Sequence, residues 1–227
     1  MYKMIRKDLP KLPLLYFSDS GEVPYGKLSK KKLRSRVEKV FKFLKDAGAE
    51  QIVVACHSAS SVVIDSDGVI SLRTPTVKAV LKRKAKRVGI IGGGRTIRSG
   101  YYRRELNKAG IKTNQRIAQQ LSILVERGEV DTPAVEAAVA KIMKPLRRSD
   151  SVLLACTHYP VLSKAILKHV PGVIDPVDEL YKSIRRHLDE TLTGPDKFLT
   201  TGDVKLMRSA AQKAFGVTIS TITKVTF

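Results

Sequence analysis

The sequence predicts an α/β protein built on mainly parallel sheets, and three observations carry this prediction. Short apolar runs alternate along the chain with segments of helical periodicity, the pattern of strands connected by helices. The chain has 227 residues, 43% of them hydrophobic, enough to bury a core in one large domain or two smaller ones. Two of the apolar runs end alike, in Ala-Cys followed by hydroxyl and imidazole side chains.

Six apolar runs are predicted strands, near Leu14–Phe17, Gln51–Ala55, Val88–Ile91, Ser151–Ala155, Val173–Ile174 and Phe198–Thr200. Two helices have clear start signals. Ser29 is the predicted N-cap of a helix that runs to Asp46, with Gly48 just beyond its end. Thr132 is a predicted cap followed by Pro133 at the first helical position. Ligands of parallel sheets bind beyond the carboxyl ends of the strands, so we expect functional residues in the loops that follow them.

The chain is strongly basic, with 42 Lys and Arg against 21 Asp and Glu and a net charge of +21. This charge favours anionic partners and leaves nucleic acid, anionic membranes and small acids open. The densest basic runs have the apolar spacing of solvated helix faces, and no nucleic-acid-binding motif accompanies them. The first ten residues have no apolar segment behind them, and no run approaches the ~18 apolar residues of a membrane span. We therefore expect a cytoplasmic protein.

The chain has two cysteines, in the segments "VVACHS" (Val53–Ser58) and "LLACTH" (Leu153–His158). Both follow predicted strands, where ligands bind. Their spacing to the neighbouring histidines is not that of a zinc site, and a reducing compartment disfavours a disulfide. Buried inert thiols are one interpretation. Two thiols in like positions also suit a symmetric task, such as inversion at a carbon.

Racemisation without a cofactor needs one thiolate to remove the α-proton and a thiol on the opposite face to return one. The ordinary thiol pKa of ~8.5 requires help from a polar neighbour, and His57 and His158 are candidates by proximity in sequence. Ser58 and Thr157 could donate to the developing carbanion. The segment "VGIIGGGRTIRSGYY" lacks the third glycine of a dinucleotide fingerprint, and we interpret it as a turn that holds a carboxylate with Thr96 and Ser99.

At these residues the chain resembles the glutamate racemases of the aspartate/glutamate racemase superfamily. Four family patterns occur in order along the sequence: Tyr16 to Gly26, "ACHSAS" from Ala55, "IGGGRTIRSGYY" from Ile91 and "ACTHYPVL" from Ala155. The resemblance implies two similar α/β domains with the active site in the cleft between them. The expected first domain comprises residues 1–86 and 177–227, and the second comprises residues 87–176.

The resemblance also implies roles for individual residues. Cys56 and Cys156 would be the acid/base thiols, His158 would assist the second thiol, and Glu126 lies where the family has an acidic active-site residue. The implied substrate-binding residues are Tyr25, Gly26, His57, Ser58, Thr96 and Thr157. The implied reaction converts free L-glutamate to D-glutamate for peptidoglycan, with no metal and no pyridoxal cofactor. A homodimer is compatible with the sequence.

The chain departs from the family pattern at three places. The family opens with a strand and a D-S-G-x-G-G loop that this chain lacks, which leads us to expect weak or no racemisation unless an upstream start supplies them. Asp19-Ser20-Gly21 does not fill this role, because its spacing to Tyr25 matches a later family aspartate. His57 replaces an asparagine, and Ala118-Gln119 replaces Cys-Pro ahead of Glu126. His57 would either favour the thiolate of Cys56 or crowd the substrate amine.

Two alternatives remain open at the sequence level. One is another cofactor-independent racemase of the superfamily, acting on aspartate or hydantoins. The other is a non-catalytic protein of this fold whose basic surface binds nucleic acid or another polyanion.

Overall fold

The computed structural model describes residues 1–22 and 24–226. Val23 and Phe227, which fall within the predicted first domain, lie outside the described residues. The strands are β1 Leu15–Ser18, β2 Ile52–Val54, β3 Val69–Ser71, β4 Arg87–Gly92, β5 Lys112–Ile117, β6 Ser151–Ala155, β7 Val173–Ile174, β8 Lys197–Thr200 and β9 Thr223–Lys224. The α-helices are α1 Tyr2–Asp8, α2 Lys30–Asp46, α3 His57–Ser60, α4 Arg73–Lys82, α5 Gly94–Ser99, α6 Tyr101–Lys108, α7 Gln119–Glu126, α8 Pro133–Met143, α9 Ser163–Leu167, α10 Val177–Arg185 and α11 Val204–Phe215.

The largest sheet has four parallel strands in the order β5-β4-β6-β7. Its two central strands bury side chains on both faces. Val88 and Ile90 of β4 pack with α4 and α6, whereas Ile91 packs on the other face with α7 and α8. Helices therefore cover both faces of this sheet, as an all-parallel sheet requires. The prediction of an α/β fold with mainly parallel sheets is confirmed.

The segments on either side of this unit form two smaller parallel sheets. One has the order β1-β8-β9, and the other pairs β2 with β3. The first sheet joins the two ends of the chain, because Leu15 of β1 is in register with Lys197 of β8. The two-stranded sheet packs against α2 and α3 through Leu33, Val37 and Val54.

The predicted helix starts are confirmed at both caps. The Ser29 hydroxyl accepts a hydrogen bond from the Lys32 amide, and the Thr132 hydroxyl accepts one from the Val135 amide. Gly48, two residues past the end of α2, adopts a φ of 86°, a conformation that glycine adopts readily. The six predicted strands also form, with ends that differ by one residue or so from the predicted ones.

Three strands were not predicted, namely β3, β5 and β9. The strand β5 has the sequence "KTNQRI" and lies at the edge of the four-stranded sheet, where one side is exposed. An edge position requires no apolar run, so no hydrophobic pattern marks this strand. The other two are three and two residues long, below the length at which an alternating pattern can be recognised.

Within the described part of the chain, no helix combines the length and apolar character needed to cross a membrane.

Asp19 lies just beyond the end of β1 and connects this loop to three other parts of the fold. Its carboxylate accepts hydrogen bonds from Arg36 of α2, from the Thr201 hydroxyl that follows β8 and from the Tyr25 hydroxyl. Its side chain is only 6% exposed. Burial pushes the pKa of this carboxyl up, but the Arg36, Tyr25 and Thr201 donors outweigh it, and the net pKa lies below the ordinary value.

We predict that Asp19→Asn lowers the free energy of unfolding by about 3 kcal/mol, because Arg36 loses its buried partner. Since the pKa is lowered on folding, the ionised carboxylate stabilises the fold above its unfolded pKa of ~3.9 and loses this effect as the pH falls through the folded value. The gap between wild type and variant in thermal unfolding should therefore narrow below about pH 4. Asp46→Asn, which breaks an exposed pair with Lys42, is the control and should cost less than about 1 kcal/mol. A gap that stays constant down to pH 2 would contradict the assignment.

Candidate active site

Cys56 lies where β2 passes into α3. Its extended backbone, with φ −131° and ψ 121°, makes it the N-cap of this four-residue helix. The backbone amides of Ala59 and Ser58 lie at the start of this helix, and both favour the thiolate form of Cys56. Burial raises the pKa of the Cys56 thiol, the two amide donors offset part of this rise, and the charge of Glu126 adds to it. Cys56 is therefore held mainly as a thiol, and the nearby amides favour its thiolate.

Cys156 follows β6 and stands at the end of a row of three side chains. Its sulfur lies 3.6 Å from Nδ1 of His158. The other ring nitrogen, Nε2, lies 3.7 Å from Oε1 of Glu126, at the end of α7. In this order, the carboxylate can orient the imidazole so that its other nitrogen faces the thiol. The carboxylate can also stabilise the protonated imidazole.

Burial sets the ionisation of this row. Burial raises the pKa of the Cys156 thiol to about 12. The His158 amide lowers this pKa in part, whereas negative charge on Cys56 and Glu126 adds to the rise. Burial also lowers the pKa of His158 and raises that of Glu126. The negative charges of Cys56 and Glu126 both raise the pKa of Cys156, and Glu126 also raises the pKa of Cys56.

The surroundings of His57 disfavour a charged imidazole. Its side chain is 2% exposed, and its Nδ1 lies 2.7 Å from the Tyr102 hydroxyl. Burial lowers the pKa of His57 to about 3, so the imidazole is neutral at physiological pH. It therefore supplies no positive charge to the neighbouring Cys56.

Two residues expected at the substrate bond to each other across the site. The hydroxyls of Ser58 and Thr96 share a hydrogen bond of 3.2 Å, and both residues are buried. Thr157, between the thiol and the imidazole of the second motif, is exposed. The hydroxyl of Ser99 donates to the Thr96 carbonyl instead, so it stabilises the turn rather than facing a ligand.

Tyr25 and Gly26 approach the site from the 3-10 turn that follows β1. The Tyr25 hydroxyl is bound to Asp19, and its ring packs in the same cluster as Cys56. Gly26 lies against Gly94 and Gln119, where an added Cβ would overlap the Gln119 side chain. This close approach explains why a residue without a side chain stands there.

Sequence reasoning missed three residues around the site. Gln119 accepts from the Gly94 amide and donates to Ser122, so it joins the loops after β4 and β5. Tyr102 bonds His57, and Tyr159 donates to the Ala118 carbonyl from a fully buried position. Both tyrosines lie within the recognised motifs, but only the fold shows which way their hydroxyls point. Gln119 stands where the family pattern has proline, and that departure was the signal available.

The chain is similar to known proteins in sequence and in fold. The family model described as Asp/Glu/Hydantoin racemase matches residues 1–184. The chain belongs to the Asp/Glu/hydantoin racemase family. A glutamate racemase from Aquifex aeolicus is 33% identical over 193 residues, which cover 81% of this chain and 76% of the relative.

Solved structures of racemases superpose on nearly the whole chain. Glutamate racemase isoform RacE1 from Bacillus anthracis matches with a TM-score of 0.88 and 29% identity, covering 100% of this chain and 92% of the other. Glutamate racemase from Thermus thermophilus, solved with beta-chloro-D-alanine, also gives 0.88, with 27% identity and coverage of 100% and 91%. The chain is thus similar to these enzymes in fold over its full described length.

We predict that both thiols of this racemase-family chain react slowly with iodoacetamide at pH 7, because each is held in its protonated form. Raising the pH should accelerate the reaction, with Cys156, whose pKa is about 12, reacting last. Mass spectrometry of the alkylated peptides measures both rates separately. The chain unfolded in urea is the control, since its thiols return to a pKa of ~8.5. Either thiol reacting at pH 7 as fast as in the unfolded chain would contradict the burial argument.

Proposed function

We propose that this protein is an amino-acid racemase that interconverts L- and D-glutamate by a two-thiol acid/base mechanism. The observation that carries the proposal is the placement of Cys56 and Cys156 directly after the carboxyl ends of β2 and β6, with the charge of Cys56 raising the pKa of Cys156. Its relatives at 33% and 29% identity are glutamate racemases, which supports glutamate as the substrate.

The first step requires a thiolate, and the two sides of the site provide it differently. On one side, His158 Nδ1 takes the proton of Cys156, and Glu126 stabilises the resulting imidazolium. On the other side, the amides of Ser58 and Ala59 stabilise the thiolate of Cys56. The ammonium group of the bound amino acid brings positive charge between them and lowers both thiol pKa values further.

Inversion follows when the two thiols act in succession. The thiolate on one face takes the α-proton, the electron pair of the Cα–H bond stays on the substrate as a carbanion, and the thiol on the other face delivers its proton. The enzyme ends with the opposite thiol deprotonated, so the reverse reaction uses the same groups in exchanged roles. Donors that contact the substrate carboxylate stabilise the carbanion. We assign this task to Ser58, Thr96 and Thr157, with the backbone at Tyr25 and Gly26.

We predict that Cys56→Ala and Cys156→Ala each slow racemisation by about 10²–10⁴-fold, the usual contribution of a positioned acid or base. Each variant should still exchange the α-proton of one enantiomer in heavy water, because the remaining thiol reaches only one face. The enantiomer that exchanges should differ between the two variants. Magnetic resonance of the Cα–H signal, started from L- and from D-glutamate, measures exchange and inversion together.

The same assay separates the alternatives. Aspartate and hydantoins in place of glutamate test the other substrates of the family, and loss of optical rotation reports their inversion. A chain shown by thermal unfolding to be folded, yet unable to exchange the α-proton of any of these substrates, would overturn the racemase proposal. We place the reaction in the cytoplasm, where thiols stay reduced and where D-glutamate would enter peptidoglycan synthesis. The homodimer stays a prediction that light scattering can test.

The basic surface favours a second activity, the binding of a polyanion such as duplex nucleic acid. At the amino ends of the four-stranded sheet, opposite the thiols, Arg87 of β4 pairs in register with Lys112 of β5. Arg87 is also ion-paired with Asp150. Lys84 and Lys86 shortly precede Arg87 in the chain, Arg148 shortly precedes Asp150, and all three are exposed. Parallel pairing gathers the loops that carry these cations at one edge, where phosphates could bind several of them.

We predict weak duplex binding whose affinity falls steeply with salt, by about 0.9 in log affinity per tenfold salt for each phosphate contacted. Lys86→Glu with Arg148→Glu should weaken binding more than Lys31→Glu with Lys32→Glu, an equal charge change on exposed residues of α2. Fluorescence anisotropy of a labelled duplex measures both. Equal losses in the two pairs would show that net charge, not this edge, is responsible, and absence of binding at low salt would exclude the activity.

A further inference from the structure

A buried hydrogen bond connects the two sheets that carry the thiols. Nδ1 of His57 lies 2.7 Å from the hydroxyl of Tyr102, and the two side chains are 2% and 4% exposed. Their rings meet edge to face at 5.5 Å. His57 begins α3, which connects β2 to β3 of the two-stranded sheet, whereas Tyr102 lies on α6, which packs on the four-stranded sheet. The contact thus spans from one sheet to the other.

We propose that His57 and Tyr102 form a latch that fixes the separation of the two thiols, which makes both of them positioning residues of the proposed racemase. The inference rests on the proposed function for its catalytic consequence, but the geometry of the latch is independent of it. Neither residue is required to touch the substrate.

On one side, the latch controls Cys56 directly. His57 is the next residue along the chain, and α3 contains only four residues, too few to hold its own position by helical hydrogen bonds alone. Ser58 and Ala59, whose backbone amides favour the Cys56 thiolate, belong to the same short helix. A shift of His57 therefore moves the thiol together with these amides.

On the other side, the latch leads to Cys156 through packed side chains. Tyr102 shares a core cluster with Val88 and Ile90 of β4 and with Leu153 and Ala155 of β6. Ala155 is fully buried and immediately precedes Cys156. A close-packed core transmits position with little slack, so the Tyr102 hydroxyl is a fixed point relative to the second thiol.

A further observation indicates that the imidazole is kept for this contact. Its second nitrogen, Nε2, is buried and has no hydrogen-bond partner among the described residues. An unpaired buried nitrogen disfavours the folded state, so packing alone does not account for a histidine there. The neutral ring also keeps the bond to Tyr102 unchanged across physiological pH.

The chain contains two cysteines, which permits a direct test of their separation. A short bifunctional alkylating fluorophore, which becomes fluorescent only when both thiols have reacted, is added to wild type, His57→Phe, Tyr102→Phe and the double variant. After one cysteine has reacted, the reagent can bridge to the other. If the latch fixes the thiol separation, the fraction of singly alkylated protein that becomes bridged should fall several-fold in all three variants. The double variant should lose no more than either single variant. Tyr2→Phe, which removes a hydroxyl that donates to Asp196 and not to His57, is the matched control and should bridge like wild type.

Heavy-water exchange provides the catalytic readout. Misplaced thiols should raise the ratio of α-proton exchange to inversion several-fold in His57→Phe and Tyr102→Phe, because one thiol still removes the proton while the other no longer delivers one. A purely structural role would lower exchange and inversion together and leave this ratio unchanged. Tyr102→Phe removes a single oxygen atom, so it decides the question even where His57→Phe does not fold.

The outcomes distinguish the two proposals. Unchanged bridging in folded Tyr102→Phe, or losses that add up in the double variant, would overturn the latch. A wild-type chain that bridges normally but neither exchanges nor inverts any substrate would overturn the proposed function, while the comparison of bridging yields would still decide the latch.

Discussion

Parallel strand pairing is the constraint on which the rest of the structure depends. It sends the carboxyl ends of neighbouring strands to the same edge of a sheet, so the loops after β4, β5 and β6 meet without any specific attraction between them. The turn at Gly94, the residue Gln119 and the thiol of Cys156 are neighbours for this reason. Cys56 follows the carboxyl end of β2 in the small two-stranded sheet in the same way. The chemistry of the site is thus a consequence of strand direction, refined by a few side-chain contacts.

The burial of the site favours the neutral forms of its thiols and of His158. Burial disfavours the thiolate of both cysteines and the protonated form of His158. In the proposed mechanism, the ammonium group of the bound amino acid supplies the positive charge that stabilises a thiolate, because the neutral His57 and His158 do not supply it. The raised thiol pKa values therefore disfavour a reactive thiolate, and under the proposed mechanism substrate binding would promote its formation.

The sequence allowed the fold class, most strands and both cysteine loops to be predicted, because these depend on local patterns. The apolar run that forms β6 and the Thr132-Pro133 cap carry their information within a few residues. By contrast, the polar edge strand β5 has no apolar pattern to detect. The orientation of His57 could not be predicted either, since the choice between facing Cys56 and facing Tyr102 is made by a partner 45 residues away. The strands that precede the two cysteines were thus accessible from the sequence, whereas side-chain direction required the tertiary structure.

The pairing of β1 with β8 has a consequence for how the chain acquires its fold during synthesis. Residues 87–174 contain all four strands of the largest sheet, which can form as soon as they leave the ribosome. The strand β1 must wait for Lys197–Thr200, an interval on the order of ten seconds at usual rates of translation. During that time its backbone is an open strand edge, a template for pairing with other chains. β1 is therefore most exposed to aggregation before Lys197–Thr200 are made, and the charge carried by "MYKMIRKD" lies where it would oppose such contacts.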